Sequence, residues 1–255
     1  MLIKSTDQIE KMRVACRLAA KTLEYIENHV KIGITTKELD SICYQYITKT
    51  LNAIPSTLNH QGFPASICTS LNHVVCHGIP SEKKLKNGDI INIDVTVKKD
   101  GFIGDTSKMF LIGEVKPFAK RLVDVAQQCM YEGIRAVGPG NCIGDIGYAI
   151  SALAKKHNYS IVREFGGHGI GNIMWEEPHI PNYGSPASGM ILQPGMTFTI
   201  EPMINQGKRN IRQLGDGWTI ITKDRKLSAQ WEHTVLVTKN GVEVLTIRHD
   251  EDFDI

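Results

Sequence analysis

Residues 89–105, Asp89-Ile-Ile-Asn-Ile-Asp-Val-Thr-Val-Lys-Lys-Asp-Gly-Phe-Ile-Gly-Asp105, constrain this chain more than any other stretch. Ile91, Ile93, Val95 and Val97 alternate with Asn92, Asp94 and Thr96, which is the period of a strand with one apolar and one polar face. Asp100-Gly101 is a dipeptide favoured by the two-residue type I′ turn, because both central residues need positive φ and these two tolerate it. With that pair at the tip, Lys99 faces Phe102, Thr96 faces Asp105, and Asp94 becomes the diagonal neighbour of Asp105. Diagonal neighbours sit roughly 7–8 Å apart at the backbone, within reach of a shared cation. Two carboxylates so placed repel unless something positive lies between them. A solvated hairpin face would account for one Asp, but two framed by apolar strand residues point to a metal.

The chain around this hairpin reads as helices and strands in two rounds. Ser5-Thr-Asp-Gln8 is a capping-box pattern, and Ile9, Met12, Cys16, Ala19, Leu23 and Ile26 follow at helical spacing, predicting a helix to about Asn28. A second box, Thr35-Thr-Lys-Glu38, precedes Leu39, Ile42, Cys43, Tyr46 and Ile47 on one face. Residues 55–68 read as a loop leading to a short strand near Ser66–Ser70, followed by an apolar run ending at His77-Gly78. Pro117 then opens a helix that Val137-Gly-Pro-Gly140 stops, and a further helix centred on Ile146 matches Leu39 at an offset of 107 residues. His-Gly-Ile recurs at His77 and His168, and a strand pair is expected over Met196–Met203 and Ala229–Thr238. These echoes predict two halves of one helix-helix-strand plan within a single domain, 1–255.

The second strand pair, expected as another hairpin, adds ligands. Alternation turns Thr197, Thr199 and Glu201 away from the core residues Met196, Phe198 and Ile200, and Pro202 ends the pairing. Glu232 shares a side with Gln230 and Thr234, while His168 sits among glycines that allow close approach. A lone His of this kind is as readily a turn residue as a ligand. Asp94, Asp105, His168, Glu201 and Glu232 together, four carboxylates and one imidazole, suit Mn, Fe(II) or Co better than a thiolate zinc site. So many carboxylates with so few other donors imply two bridged ions, the arrangement that generates hydroxide for hydrolysis.

The remaining composition excludes other classes. A formal charge of +2 gives no case for a specific nucleic-acid partner. The first residues contain no apolar signal region and no stretch is long enough to span a bilayer, so a cytoplasmic protein is expected. Cys16, Cys43, Cys68, Cys76, Cys129 and Cys142 show no C-x-x-C spacing and are read as reduced and mostly buried.

At these residues the chain resembles the type I methionine aminopeptidases, from the first helix to about residue 248. The resemblance is carried by Val75-Cys-His-Gly-Ile-Pro, Asn92-Ile-Asp-Val, Gly104-Asp-Thr-Ser, Gly167-His-Gly-Ile-Gly, Phe198-Thr-Ile-Glu-Pro-Met, Asp216-Gly-Trp-Thr and Ser228-Ala-Gln-Trp-Glu-His-Thr. It implies the α/β pita-bread fold, with two pseudo-symmetric halves around a mostly antiparallel sheet, and removal of N-terminal methionine from nascent polypeptides when the second residue is small. It further implies two divalent ions, Asp94 as a bidentate ligand of one, His168 and Glu201 on the other, and Asp105 and Glu232 as bridges. Glu201 would take the proton from the bridging water and His77 would contact the scissile peptide. Trp218, Cys68 and Phe63 would wall the methionine pocket, an apolar pocket with sulfur and aromatic walls being suited to a thioether. A monomer without an N-terminal extension, in transient contact with the ribosome, is the expectation that goes with it.

Three positions depart from the family pattern. Gln61 stands where a His is usual, His60 where an aromatic is usual, and Trp175 where another His contacts substrate. His179, four residues further on, is not expected to fill that place. A proline-specific peptidase of the same fold would need a large additional N-terminal domain, and a metal-free binding relative would have lost ligands that all five positions retain.

Overall fold

The computed structural model describes residues 2–251. Both capping boxes form as the sequence predicts. Ser5 and Gln8 exchange side-chain and backbone hydrogen bonds at the start of α1 (Thr6–Glu27), and Thr35 and Glu38 do the same for α2 (Thr36–Gln45), which runs on into a π-helical turn, Tyr46–Thr50. After β1 (Ile54–Pro55), β2 (Ile67–Leu71) and β3 (Val74–Cys76) come β4 (Ile90–Lys99) and β5 (Phe102–Leu111), the two arms of the hairpin. Their register pairs Lys99 with Phe102, Thr96 with Asp105 and Asp94 with Ser107. Asp100 and Gly101 take φ of 48° and 84°, as the turn chemistry requires.

Next come α3 (Pro117–Arg135) and α4 (Ile143–Lys156), then β6 (Ser160–Ile161), β7 (Gly166–Gly169), β8 (Glu176–Pro181), β9 (Thr197–Ile200) and β10 (Met203–Asn205). The chain closes with β11 (Ile211–Gln213), β12 (Ile220–Thr222), β13 (Ser228–Gln230), β14 (His233–Val237) and β15 (Val242–Val244). β4 pairs antiparallel with β2 and β5, and β9 pairs antiparallel with β7 and β14. Each set follows a pair of helices, so the predicted two-round plan is the architecture.

The helices cover the apolar faces. Ile91, Ile93 and Val95 of β4 pack against Ala19 and Leu23 of α1 and Leu39 of α2, while Phe198, Ile200 and Val235 pack against Leu122, Cys129 and Ile146 of α3 and α4. Each such side chain taken out of water stabilises the fold by roughly 1.5–3 kcal/mol. The opposite, polar face of the hairpin is buried as well, including Asn92, Thr96 and Asp105. It faces the second half of the chain: Asn92 Nδ2 donates to Gln230 O at 2.8 Å, and Ser107 bridges to Glu232.

Two expectations need correction. The short strand after the loop lies one residue later than expected, at Ile67–Leu71. Met196–Met203 and Ala229–Thr238 are neither continuous strands nor a hairpin, because the β11–β12 arm is inserted between them and each breaks at its glutamate. β9 stops before Glu201 and Pro202, whose missing N–H cannot continue a ladder, and β13 stops before Trp231 and Glu232. Past the breaks β10 pairs with β13 and β6 in another sheet. All six cysteines are free and five are buried, and no helix among the described residues is long and apolar enough to cross a membrane.

Candidate active site

The two hairpin aspartates, the two glutamates at the strand breaks and His168 line one cavity of about 310 Å3. Ligand atoms of Asp105, His168 and Glu232 lie within 4.8 Å of one another. His168 Nε2 is 3.6 Å from Glu201 Oε1 and 3.8 Å from Asp105 Oδ2.

Local structure aims each group. His168 stands on β7, where Gly167 packs so tightly that a Cβ would lie 2.0 Å from the carbonyl oxygen of Thr199. The His168 Nδ1 faces Gly169 O at 3.0 Å, which fixes the ring with Nε2 toward the carboxylates. Thr199 Oγ1 donates to Glu201 Oε1 at 2.8 Å and Gln230 Nε2 to Glu201 Oε2 at 3.2 Å. Thr96 Oγ1 donates to Asp105 Oδ1 at 2.8 Å. Asp94 differs, since its buried Oδ1 has no partner among the described residues.

That orphan oxygen tests the idea of a metal. A buried acceptor left unpaired costs about 1–3 kcal/mol, and more if charged. The electrostatics agree. Burial, then the charges of Asp105 and Glu201, holds the Asp94 carboxyl well above the usual carboxylate range. Burial likewise pushes Glu232 well above it, assisted by the neighbouring carboxylates, and raises Glu201 to about 8 and Asp105 to about 6. Burial depresses His168 to about 4, leaving a neutral imidazole. Four acids that resist ionising together beside a neutral imidazole form a donor set that suits divalent cations.

His77 lines the same cavity, and burial holds it neutral with a pKa near 4. It follows β3 in a left-handed conformation, φ 55°, and Gly78 after it leaves no room for a Cβ, which would lie 2.1 Å from Thr69 O. Cys68 also lines the cavity, whereas Phe63 and Trp218 do not line it directly. They pack with Cys68 and Ile79 beside it, their rings edge to face at 5.2 Å. Trp218 is delivered there because β12, two residues on, pairs with β3, Ile220 opposite Cys76, and because Asp216 Oδ1 accepts from the N–H groups of Trp218 and Thr219.

Of the departures from the family pattern, only Trp175 reaches the cavity. Trp175 lines the cavity, 40% exposed, its ring edge to face on His60 at 4.7 Å and 6.4 Å from the rings of both His77 and His168. Gln61 is exposed with φ 46° and does not line the cavity. Sequence reasoning held only that His179 would not take the place vacated at Trp175; β8 sets it directly across from His168, where it lines the cavity. Thr96, Thr199 and Gln230 were also missed as partners, although alternation had put the last two on the faces of Glu201 and Glu232.

Comparison with known proteins gives a consistent result. The profile of metallopeptidase family M24 matches residues 10–239. The chain is 55% identical over 238 residues to the methionine aminopeptidase of Rickettsia prowazekii (strain Madrid E), covering 93% of this chain and 92% of that one. It is 54% identical over 250 residues to the methionine aminopeptidase of Salmonella typhimurium (strain LT2), covering 98% and 95%. The crystal structure of methionine aminopeptidase from Rickettsia prowazekii aligns with a TM-score of 0.95 at 53% identity, over 97% of this chain and all of that one.

Proposed function

The chain belongs to metallopeptidase family M24 and, within it, to the methionine aminopeptidases, and from that premise we infer that it hydrolyses the bond after an N-terminal methionine when the second residue is small. Its fold is the pita-bread arrangement, and it is a metal-dependent hydrolase of peptides. The convergence of Asp105, His168 and Glu232 donor atoms within 4.8 Å in a buried cavity carries the reading.

Asp94, Asp105, His168, Glu201 and Glu232 would hold two divalent ions, with Co, Mn or Fe(II) suited to such donors. When bound, these ions supply Lewis acidity, lowering the pKa of water and polarising the scissile carbonyl. Glu201 accepts the proton of the attacking water on its buried carboxylate and returns it to the departing amine. Thr199 and Gln230 hold that carboxylate in place. His77, neutral at pH 7, donates an N–H to the scissile peptide. Cys68, Phe63 and Trp218 receive the methionine side chain, and Trp175 borders the cleft beyond it. The substrates are nascent polypeptides, met by a cytoplasmic monomer in transient contact with the ribosome.

The test is release of methionine from a Met-Ala-Ser peptide by enzyme loaded with Mn, Co or Fe(II), with metal content measured alongside. Norleucine should replace methionine, since one apolar group is worth only about 1–3 kcal/mol in such a pocket. Equal cleavage of peptides beginning with Leu, Lys and Met overturns the specificity, and a protein that binds no metal overturns the enzyme reading.

A further inference from the structure

Back to back with the catalytic cavity lies a larger, open hollow of about 780 Å3, formed by α4, β6 and the loops carrying Tyr183 and Arg209. Arg163 lines this hollow, while the next residues, Glu164 and Phe165, line the catalytic cavity. Lys155, Lys156, Arg163 and Arg209 face into it, and no carboxylate does. None of the four is in an ion pair among the described residues. The whole chain carries only +2, so four unopposed cations in one concavity are a local concentration of charge that the net figure hides.

Aromatic rings share the hollow. Tyr148, Tyr159 and Tyr183 line it, Tyr148 half exposed on the surface of α4. The Arg163 guanidinium lies over the Tyr183 ring, 4.8 Å from its centre, so one cation of the hollow is held against an aromatic face. Several cations lining one concavity match the phosphates of a flexible strand, and exposed ring faces match unstacked bases. A small dianion would occupy one or two of the cations and none of the rings. An acidic peptide would leave the tyrosines without a role, and a duplex hides the faces that tyrosine would stack on. We propose that this hollow binds a short segment of single-stranded RNA, with phosphates on Lys155, Lys156, Arg163 and Arg209 and bases against Tyr148 and Tyr183. The bound strand lies beside the catalytic cavity and takes no part in hydrolysis, so this proposal stands apart from the peptidase reading.

The test is fluorescence anisotropy of a labelled oligouridylate of about twelve nucleotides on the metal-loaded, full-length enzyme. Four phosphate contacts to a single strand give a log–log salt slope of about −2.8, or about fifty-fold weaker binding between about 50 and 200 mM salt. The double variant Lys155→Ala/Lys156→Ala should halve that slope, leaving about a sevenfold change over the same range. Tyr148→Ala should weaken binding about tenfold with the slope unchanged, because stacking is not screened by salt. Release of methionine from Met-Ala-Ser by both variants reports that they are folded. Absence of binding at the lower salt overturns the proposal. So does a parental slope in the lysine variant, a parental affinity in Tyr148→Ala, or equally tight binding of an oligoglutamate peptide or an RNA duplex.

Discussion

Loading the centre with metal should expel protons, and the number can be worked from the cavity. Burial raises Glu201 to about 8, so at pH 7 its carboxyl is about nine-tenths protonated in the metal-free fold. Burial and the neighbouring carboxylates shift Asp94 and Glu232 in the same direction, whereas Asp105, near 6, is mostly ionised. Cations binding to these oxygens displace what is held there, at least about one proton, that of Glu201. Titration calorimetry of Mn into the metal-free protein at pH 7, repeated in buffers of different ionisation enthalpy, reads that number as a slope. Affinity should rise at least tenfold per pH unit near neutrality. The same shifts act on stability, with a definite sign. Carboxyl pKa values higher in the folded than in the unfolded chain mean that the folded state binds more protons, so its stability falls as pH rises through the folded pKa. His77 and His168 have the opposite sign, since their folded values near 4 remove stability as pH falls below the usual 6.5. Five imidazoles are lowered in the fold and still titrate in the unfolded chain up to about pH 7.5; between about pH 7.5 and 8.5 they are largely neutral in both states, and there the metal-free Tm should decline with pH more steeply than the loaded protein's. A calorimetric slope of zero, or a metal-free Tm that climbs over that window, refutes the reasoning.

Asp105→Ala should lose most activity and bind Mn more weakly, because it removes a buried carboxylate between the other donors and orphans Thr96 Oγ1; unchanged metal stoichiometry and turnover would contradict the assignment. Trp175→His should raise kcat/KM on short Met-Ala peptides about tenfold, the effect of regaining a hydrogen bond to a polarised group, and a variant no faster than the parent would show the indole to be an adequate substitute. Gly104→Ala should lower Tm by several degrees, measured by circular dichroism, because its Cβ would lie 2.4 Å from the backbone of Cys16 in α1 and overpacking costs about 1–3 kcal/mol. An unchanged Tm would mean that α1 lies further from β5.

What the sequence disclosed and what it withheld follow from how local each determinant is. The register of β4 and β5 is set by two turn residues, and the two helix starts by side chains three residues away, so all were readable from short windows. His179 was not, because its place beside His168 depends on β7 pairing with β8, where the register also shifts between His168 and Gly169. Phe63 and Trp218 meet only because β12 reaches across to β3. Pairings of that kind are decided by tertiary packing, and a single sequence carries little trace of them.

The glutamates show the point most clearly and say why the two halves are unlike. In the first half an unbroken ladder from Ile90 to Leu111 presents Asp94 and Asp105 by alternation alone. In the second half both glutamates sit where a strand leaves one sheet for another, Glu201 between β9 and β10 and Glu232 between β13 and β14. A regular strand pair there would put Glu201 and Glu232 at ladder positions fixed by the pleat, facing only their own partners. Breaking both strands at the carboxylates lets Glu232 bridge to Ser107 of the other half, and lets Gln230, two residues earlier, hold Glu201. Pro202 enforces one break by withholding an N–H, and the other is held by backbone hydrogen bonds between Glu232 and Ser107, 3.3 and 3.4 Å long. The polar faces of the two halves therefore converge without repeating each other, which explains why the internal repeat in the sequence fades at the two glutamates.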